Sequence, residues 1–175
     1  MFLGACAPCR RARYSRAMER PAICTIGYER ATLEDFIDAL REAGVATLID
    51  IRARAFSRRS EFNAKKLAAS LQEAGIGYLH LVALGSPDAA RAAAKSGDLK
   101  RFEKLYRTQL ATPAAQQSLD RVLELASAAP VCLMCYEREP SECHRQFTIE
   151  PIETRRGERA RHLFAAPPAK QRSLL

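Results

Sequence analysis

Between positions 135 and 145 the chain reads Cys135-Tyr136-Glu137-Arg138-Glu139-Pro140-Ser141-Glu142-Cys143-His144-Arg145. Two thiols, an imidazole, three carboxylates and two guanidinium groups within eleven positions are more than a structural turn requires. Cys135, Glu137, Cys143 and His144 are the candidate catalytic residues, and three uses of them compete. As a nucleophile, Cys143 at a helix start would be acidified by the dipole and by Arg145, with His144 or Glu137 moving protons. As a metal site, Cys132, Cys135, Cys143 and His144 offer donor types that zinc takes. Side chains alternate along a strand, however, so Cys132 and Cys135 point to opposite faces, and adjacent Cys143 and His144 are expected to diverge on a helix. No residue is therefore assigned as a metal ligand; zinc is the less favoured use, with a partial site from Cys135 plus Cys143 or His144 left open. As structure alone, the cysteines are small core residues and Glu137, Arg138, Glu139 and Arg145 a solvated charge run.

The elements that must hold this block are short. Val131-Cys132-Leu133-Met134 reads as a buried strand, and Ser141 as the N-cap of the following helix, which puts Cys143 and His144 in its first turn. Pro151 is expected to end that helix near Glu150. Upstream, Ala22 to Ile26 reads as a strand closed by Gly27-Tyr28, and Thr32 to Asp35 as a capping box opening a helix that stops at Gly44. Thr47 to Ile51 is a second buried strand, and Asn63 caps a helix that ends at Gly75. Tyr78 to Val82 is a third strand. Asp98 and Thr112-Pro113 each open a further helix, whereas the alanine-rich stretch from Pro87 to Ser96 fits a helix or a lid equally. Arg161 to Phe164 is a candidate last strand. The alternation predicts one α/β domain over 21–165, with a mostly parallel sheet of four or five strands and helices on both faces.

In such a sheet the carboxyl ends of the strands share one edge, where ligands bind. Thr25, Gly27 and Tyr28 follow the first strand, Asp50 and Arg52 the second, and Cys135 and Glu137 the fourth. The loop from Arg52 to Arg59, which includes Ser57, and Arg145 add guanidinium groups suited to phosphate or carboxylate. Gly27 could let backbone approach a ligand. Asp50 and Arg52 could equally form a plain architectural pair, and His80 reads as a core or rim histidine.

The net charge of +8 belongs to the ends: residues 1–20 carry five Arg against Glu19, residues 153–175 carry six Lys or Arg against two Glu, and the interval between is neutral. That pattern favours non-specific contact with a polyanion such as nucleic acid through the tails. Residues 1–20 read as a basic, disordered extension, with Met18 as the expected natural start, and 166–175 as a flexible tail. Cys6 and Cys9 have C-x-x-C spacing without a second pair, so no metal is assigned there. Irregularly spaced cysteines without a signal peptide point to free thiols in a reducing cytoplasm, and no apolar run long enough to cross a membrane occurs.

Four ordered blocks carry a family resemblance: Thr25-Ile26-Gly27-Tyr28; Asp50-Ile51-Arg52 with Ser57-Arg58-Arg59 and Phe62-Asn63; Tyr78-Leu79-His80-Leu81 with Leu84-Gly85; and Cys135-x-Glu137-x-x-Pro140-x-x-Cys143-His144-Arg145. Over roughly residues 21–164 the chain resembles the domain of unknown function 488 family. The resemblance implies a small cytoplasmic bacterial α/β protein whose Cys-His-Arg block points to an enzyme. The chain departs from the family pattern at Ala55, where a proline is usual, at Ser86, where a second glycine is usual, and at Pro151, where a longer final helix is usual.

The leading expectation is an enzyme acting on a small anionic substrate, nucleotide-like or derived from nucleic acid. Arg52 and Arg145 would hold the anion, Cys143 or Cys135 would act as nucleophile or weak metal ligand, and Glu137 and His144 would be acid/base partners. A binding module for nucleic acid or a partner protein, without turnover, is the alternative.

Overall fold

The computed structural model describes residues 23–165. The expectations for the extension 1–20, for the Cys6–Cys9 pair and for the tail 166–175 lie outside the described residues. Five strands, β1 (Ile23–Gly27), β2 (Thr47–Asp50), β3 (Gly77–His80), β4 (Val131–Cys135) and β5 (Arg161–Phe164), form one sheet in the order β3-β2-β4-β1-β5, every pairing parallel. Helices α1 (Leu33–Glu42) and α2 (Ala64–Glu73) cover one face, where Phe36, Leu40, Leu67 and Leu71 pack on Ile26, Leu48, Cys132 and Met134. On the other face α4 (Leu99–Leu110), α5 (Pro113–Ala128) and α6 (Arg145–Arg156) bury Tyr106, Leu119, Val122 and Ile152 against Ile49, Val131 and Leu133. Central strands covered on both faces need residues that are apolar almost throughout, which β1 and β4 supply. The alanine-rich stretch is a helix, α3 (Asp88–Lys95), packed on α4. Among the described residues no helix is long and apolar enough to cross a membrane.

Several local signals act as the sequence indicates. Thr32 accepts a hydrogen bond from the Asp35 N–H, Asp98 from that of Arg101 and Thr112 from that of Ala115, and Gly44 and Gly75 take positive φ after α1 and α2. Asn63 stands at the N-cap of α2, but its side-chain oxygen accepts from Ser57 N–H at 2.6 Å instead, so it shapes the Arg52–Arg59 loop.

Two expectations fail around the last helix. Ser141 does not cap it: Pro140–Glu142 is a single 3₁₀ turn, Cys143 is extended, and the helix begins at Arg145 with His144 in the cap position. Nor does Pro151 end it, since the helix runs on to Arg156 and closes at Gly157 with φ 71°. An interior proline costs about 3 kcal/mol. Burial of Phe147, Ile149 and Ile152 on the core returns about 1.5–3 kcal/mol for each side chain, which outweighs it.

The topology places the site. Connections leave β1 and β2 toward the α1–α2 face, whereas β4, lying between them, leaves toward the α6 face. Chain departing in opposite directions opens a crevice at the carboxyl end of β4.

Candidate active site

Cys135 ends β4 and, by alternation, faces the same side as Val131 and Leu133, while Cys132 and Met134 face the other. The turn from Tyr136 to Glu142 then brings the chain back, so that Cys143 and His144 return beneath Cys135. Cys135 Sγ lies 3.0 Å from Glu137 Oε2 and 3.4 Å from His144 Nδ1, and Cys143 Sγ is 3.8 Å from that nitrogen. The four donor atoms all lie within 4.8 Å of one another, a set able to hold a metal ion. The expected divergence of Cys143 and His144 is thus overturned, because neither lies in the helix. Cys132 is excluded, as alternation requires.

His144 Nε2 lies 3.0 Å from the Ile51 carbonyl oxygen. A carbonyl only accepts, so Nε2 carries the hydrogen and a neutral ring turns its Nδ1 lone pair toward the sulfurs. The ring packs edge-on to Tyr106, whose hydroxyl donates to the Leu84 carbonyl at 2.6 Å and lies 2.7 Å from the Thr148 hydroxyl. Burial pushes the Glu137 carboxyl up to about 7, helped by the adjacent Cys135 sulfur. Burial alone would raise the Cys135 thiol as well, but its contacts with Cys143, His144 and Glu137 outweigh that and hold it well below the usual thiol value. Cys143, behind it, is pushed up by burial.

Above the cluster opens a cleft of about 1040 Å³. Cys135, Glu137 and His144 form part of its lining, and Arg52, Arg54, Arg58, Arg59, Arg91 and Lys100 outnumber the cleft's carboxylates on Glu103, Glu137 and Glu142. Arg54 and Arg91 pair with Asp88, and Arg59 with Glu61. No ion pair among the described residues engages Arg58 or Lys100. Aromatic rings are interleaved with these charges: Phe56 is 73% exposed, and Tyr136, 47% exposed, stands edge-on to Tyr28.

The remaining sequence candidates divide. Tyr28, Arg52, Ser57 and Arg59 line the cleft. Arg52 is largely committed: it donates through Nε and Nη2 to Asp50, at 2.6 Å for the shortest contact, and through Nη1 to the Tyr28 hydroxyl at 3.0 Å. Asp50 is fully buried and also accepts from the Tyr78 hydroxyl at 2.7 Å; burial and this carboxylate push the Tyr78 phenol well up. Asp50 is therefore architecture that aims Arg52. Ser57 Oγ accepts from Arg59 N–H, and Arg59 crosses the Phe62 ring at 4.6 Å. His80 donates through Nε2 to the Arg52 carbonyl at 2.7 Å.

Besides the buried Asp50, three more of these candidates lie outside the cleft. Thr25 is buried within β1 with its hydroxyl 2.7 Å from His162 Nδ1. Gly27 does allow a close approach, but to the chain itself: a Cβ there would stand 1.7 Å from the Glu137 carbonyl oxygen. Arg145, 1% exposed, donates from Nη1 and Nη2 to the Glu137 and Arg138 carbonyls at 2.5 Å each, so it clamps the turn rather than holding a ligand. Lys100, Arg91, Phe102 and Tyr136 line the cleft as well, although none is among the sequence candidates. The periodicity of α4 marks Phe102 and the Cys135–Arg145 block contains Tyr136, whereas nothing local marks Arg91 or Lys100.

A family model described as "Domain of unknown function DUF488" matches residues 32–151. No curated protein and no solved structure matches the chain. The matched span holds Asp50, Arg52 and the whole Cys135–Arg145 block, and the chain belongs to the DUF488 family.

Proposed function

We propose that the protein is an enzyme acting on a small anionic substrate that carries a flat ring, such as a nucleotide or a short nucleic-acid fragment, by hydrolytic or group-transfer chemistry. The observation that supports this most is the convergence of Cys135, Glu137, Cys143 and His144 at the floor of a cationic, aromatic cleft. Arg58 and Lys100 attract the anion, and Phe56 and Tyr136 offer faces for stacking. Glu137 lies at the cleft surface next to Cys135 and carries the proton to or from the reacting group. Both ring nitrogens of His144 are engaged within the fold, so the imidazole acts through the sulfurs rather than on the substrate directly. Cys135 is the sulfur that faces the cleft, with Cys143 behind it.

The test is turnover and binding measured in parallel on nucleoside monophosphates and short single-stranded oligonucleotides. Glu137→Gln is expected to keep binding within a few-fold and to lose turnover by about 100-fold or more. A specific observation favours a second reading: the exposed Phe56 lies in the chain between Arg54 and Arg58, and all three line the cleft, a mix of ring and cations that suits nucleic acid. Binding without turnover, insensitive to both Cys135→Ala and Glu137→Gln, would establish that non-catalytic module instead.

A further inference from the structure

Four lone-pair donors crowded within 4.8 Å, mostly buried, are costly unless a proton or a cation lies between them. Bond lengths of about 2.3 Å to sulfur and 2.0–2.1 Å to nitrogen set the donors of a tetrahedral zinc ion about 3.3–3.8 Å apart. Cys135 Sγ and Cys143 Sγ stand 3.4 and 3.8 Å from His144 Nδ1. The groups around the donors are those a bound ion needs. His144 spends its Nε2–H on the Ile51 carbonyl, which fixes both the tautomer and the ring, and the Arg145 N–H points at Cys143 Sγ from 3.4 Å. The Arg145 guanidinium also ties down the Glu137–Arg138 turn, so the backbone N–H and the side chain of one residue hold the two halves of the donor set. Two sulfurs and an imidazole select zinc over the hard, oxygen-seeking cations.

We propose that Cys135, Cys143 and His144 bind a zinc ion at the floor of the cleft, with the Glu137 carboxylate beside the ion on its open side. Cys143 closes the back of the site, while Cys135, Glu137 and His144 border the cleft, so the ion would be reached from the substrate side. The inference rests on the reading of this cluster as the site of action and adds a Lewis acid to it.

The test uses the full chain carrying Cys6→Ser and Cys9→Ser, because that C-x-x-C pair can take zinc by itself. One zinc per chain is expected by elemental analysis. Cobalt loading is expected to give an ultraviolet thiolate charge-transfer band and the intense visible bands of four-coordination. Cys143→Ser is expected to weaken zinc binding by about 100-fold or more. Should that variant fail to fold, the cobalt spectrum of the parent still decides the matter. No zinc above background, a pale spectrum without a sulfur band, or zinc retained unchanged in folded Cys143→Ser would each overturn the site. Stoichiometric zinc in a protein without turnover supports the metal site and sinks the enzymatic reading alone. Turnover that is zinc-free yet lost in Glu137→Gln sinks only the metal.

Discussion

Gly27 and Glu137 meet so closely that a methyl group at position 27 would stand 1.7 Å from the Glu137 carbonyl oxygen and 2.6 Å from Arg145 Nη1. The end of β1 is therefore a mould for the turn that carries Glu137. Gly27→Ala is expected to cost about 3 kcal/mol through overpacking, read as a lower urea midpoint with unchanged slope, and to weaken the site by displacing the turn. Wild-type stability in that variant would show that the turn is not held by this contact.

The Asp50–Arg52 pair supports a second expectation. Both side chains are buried, at 0% and 6% exposure, and their shortest contact is 2.6 Å. Asp50→Asn leaves a buried guanidinium without its counter-charge and is expected to cost about 3–5 kcal/mol, whereas joint replacement with Arg52→Met recovers much of the loss. In a chain of this size each kcal/mol lowers Tm by about 2–4 °C, so thermal melts resolve the cycle. Additive single losses would contradict the pairing.

The cleft cations should behave oppositely. Arg58→Ala and Lys100→Ala are each expected to weaken nucleotide binding about fivefold, roughly 1 kcal/mol, and to flatten its salt dependence, while stability stays within about 0.5 kcal/mol. Unchanged affinity would move the anion site elsewhere.

A small pH dependence follows from His162, which is exposed on β5 yet held below its ordinary value of 6.5 by partial desolvation and then by the Arg145 guanidinium. A depressed folded value means that protonation disfavours the fold. The contribution is complete above the unfolded value and is lost as pH falls through the folded one. Between about pH 7 and pH 5 the wild type is expected to lose stability that His162→Gln retains, as measured by denaturant titration. Parallel pH curves for the two proteins would refute the assignment.

The sheet was legible because its signals are local: apolar runs for strands buried on both faces, caps at Thr32, Asp98 and Thr112, and glycines after α1 and α2. The strand-end rim followed from topology, and it did bring Tyr28, Arg52, Cys135 and Glu137 together. The failures are cases where long-range contacts override a local preference. Ser141 has the chemistry of a cap, yet the 3₁₀ turn and the pull of His144 toward the Ile51 carbonyl start the helix later. Arg145 looks like an anion ligand, but two backbone carbonyls claim it. Lys100 and Arg91 reach the cleft only because α3 and α4 fold over the β4 rim, which an alanine-rich stretch does not announce.

The most direct test of the central claim, that an anionic ring-bearing substrate meets the Cys135–Glu137–Cys143–His144 cluster in this cleft, is an amide chemical-shift titration of the full chain with a nucleoside monophosphate. Saturable shifts are expected to concentrate at Tyr28, Phe56 to Arg59, Lys100, Tyr136 and Glu137, and to weaken in Arg58→Ala. Shifts confined to the basic termini, or absent from Tyr136 and Glu137 at saturation, would contradict it.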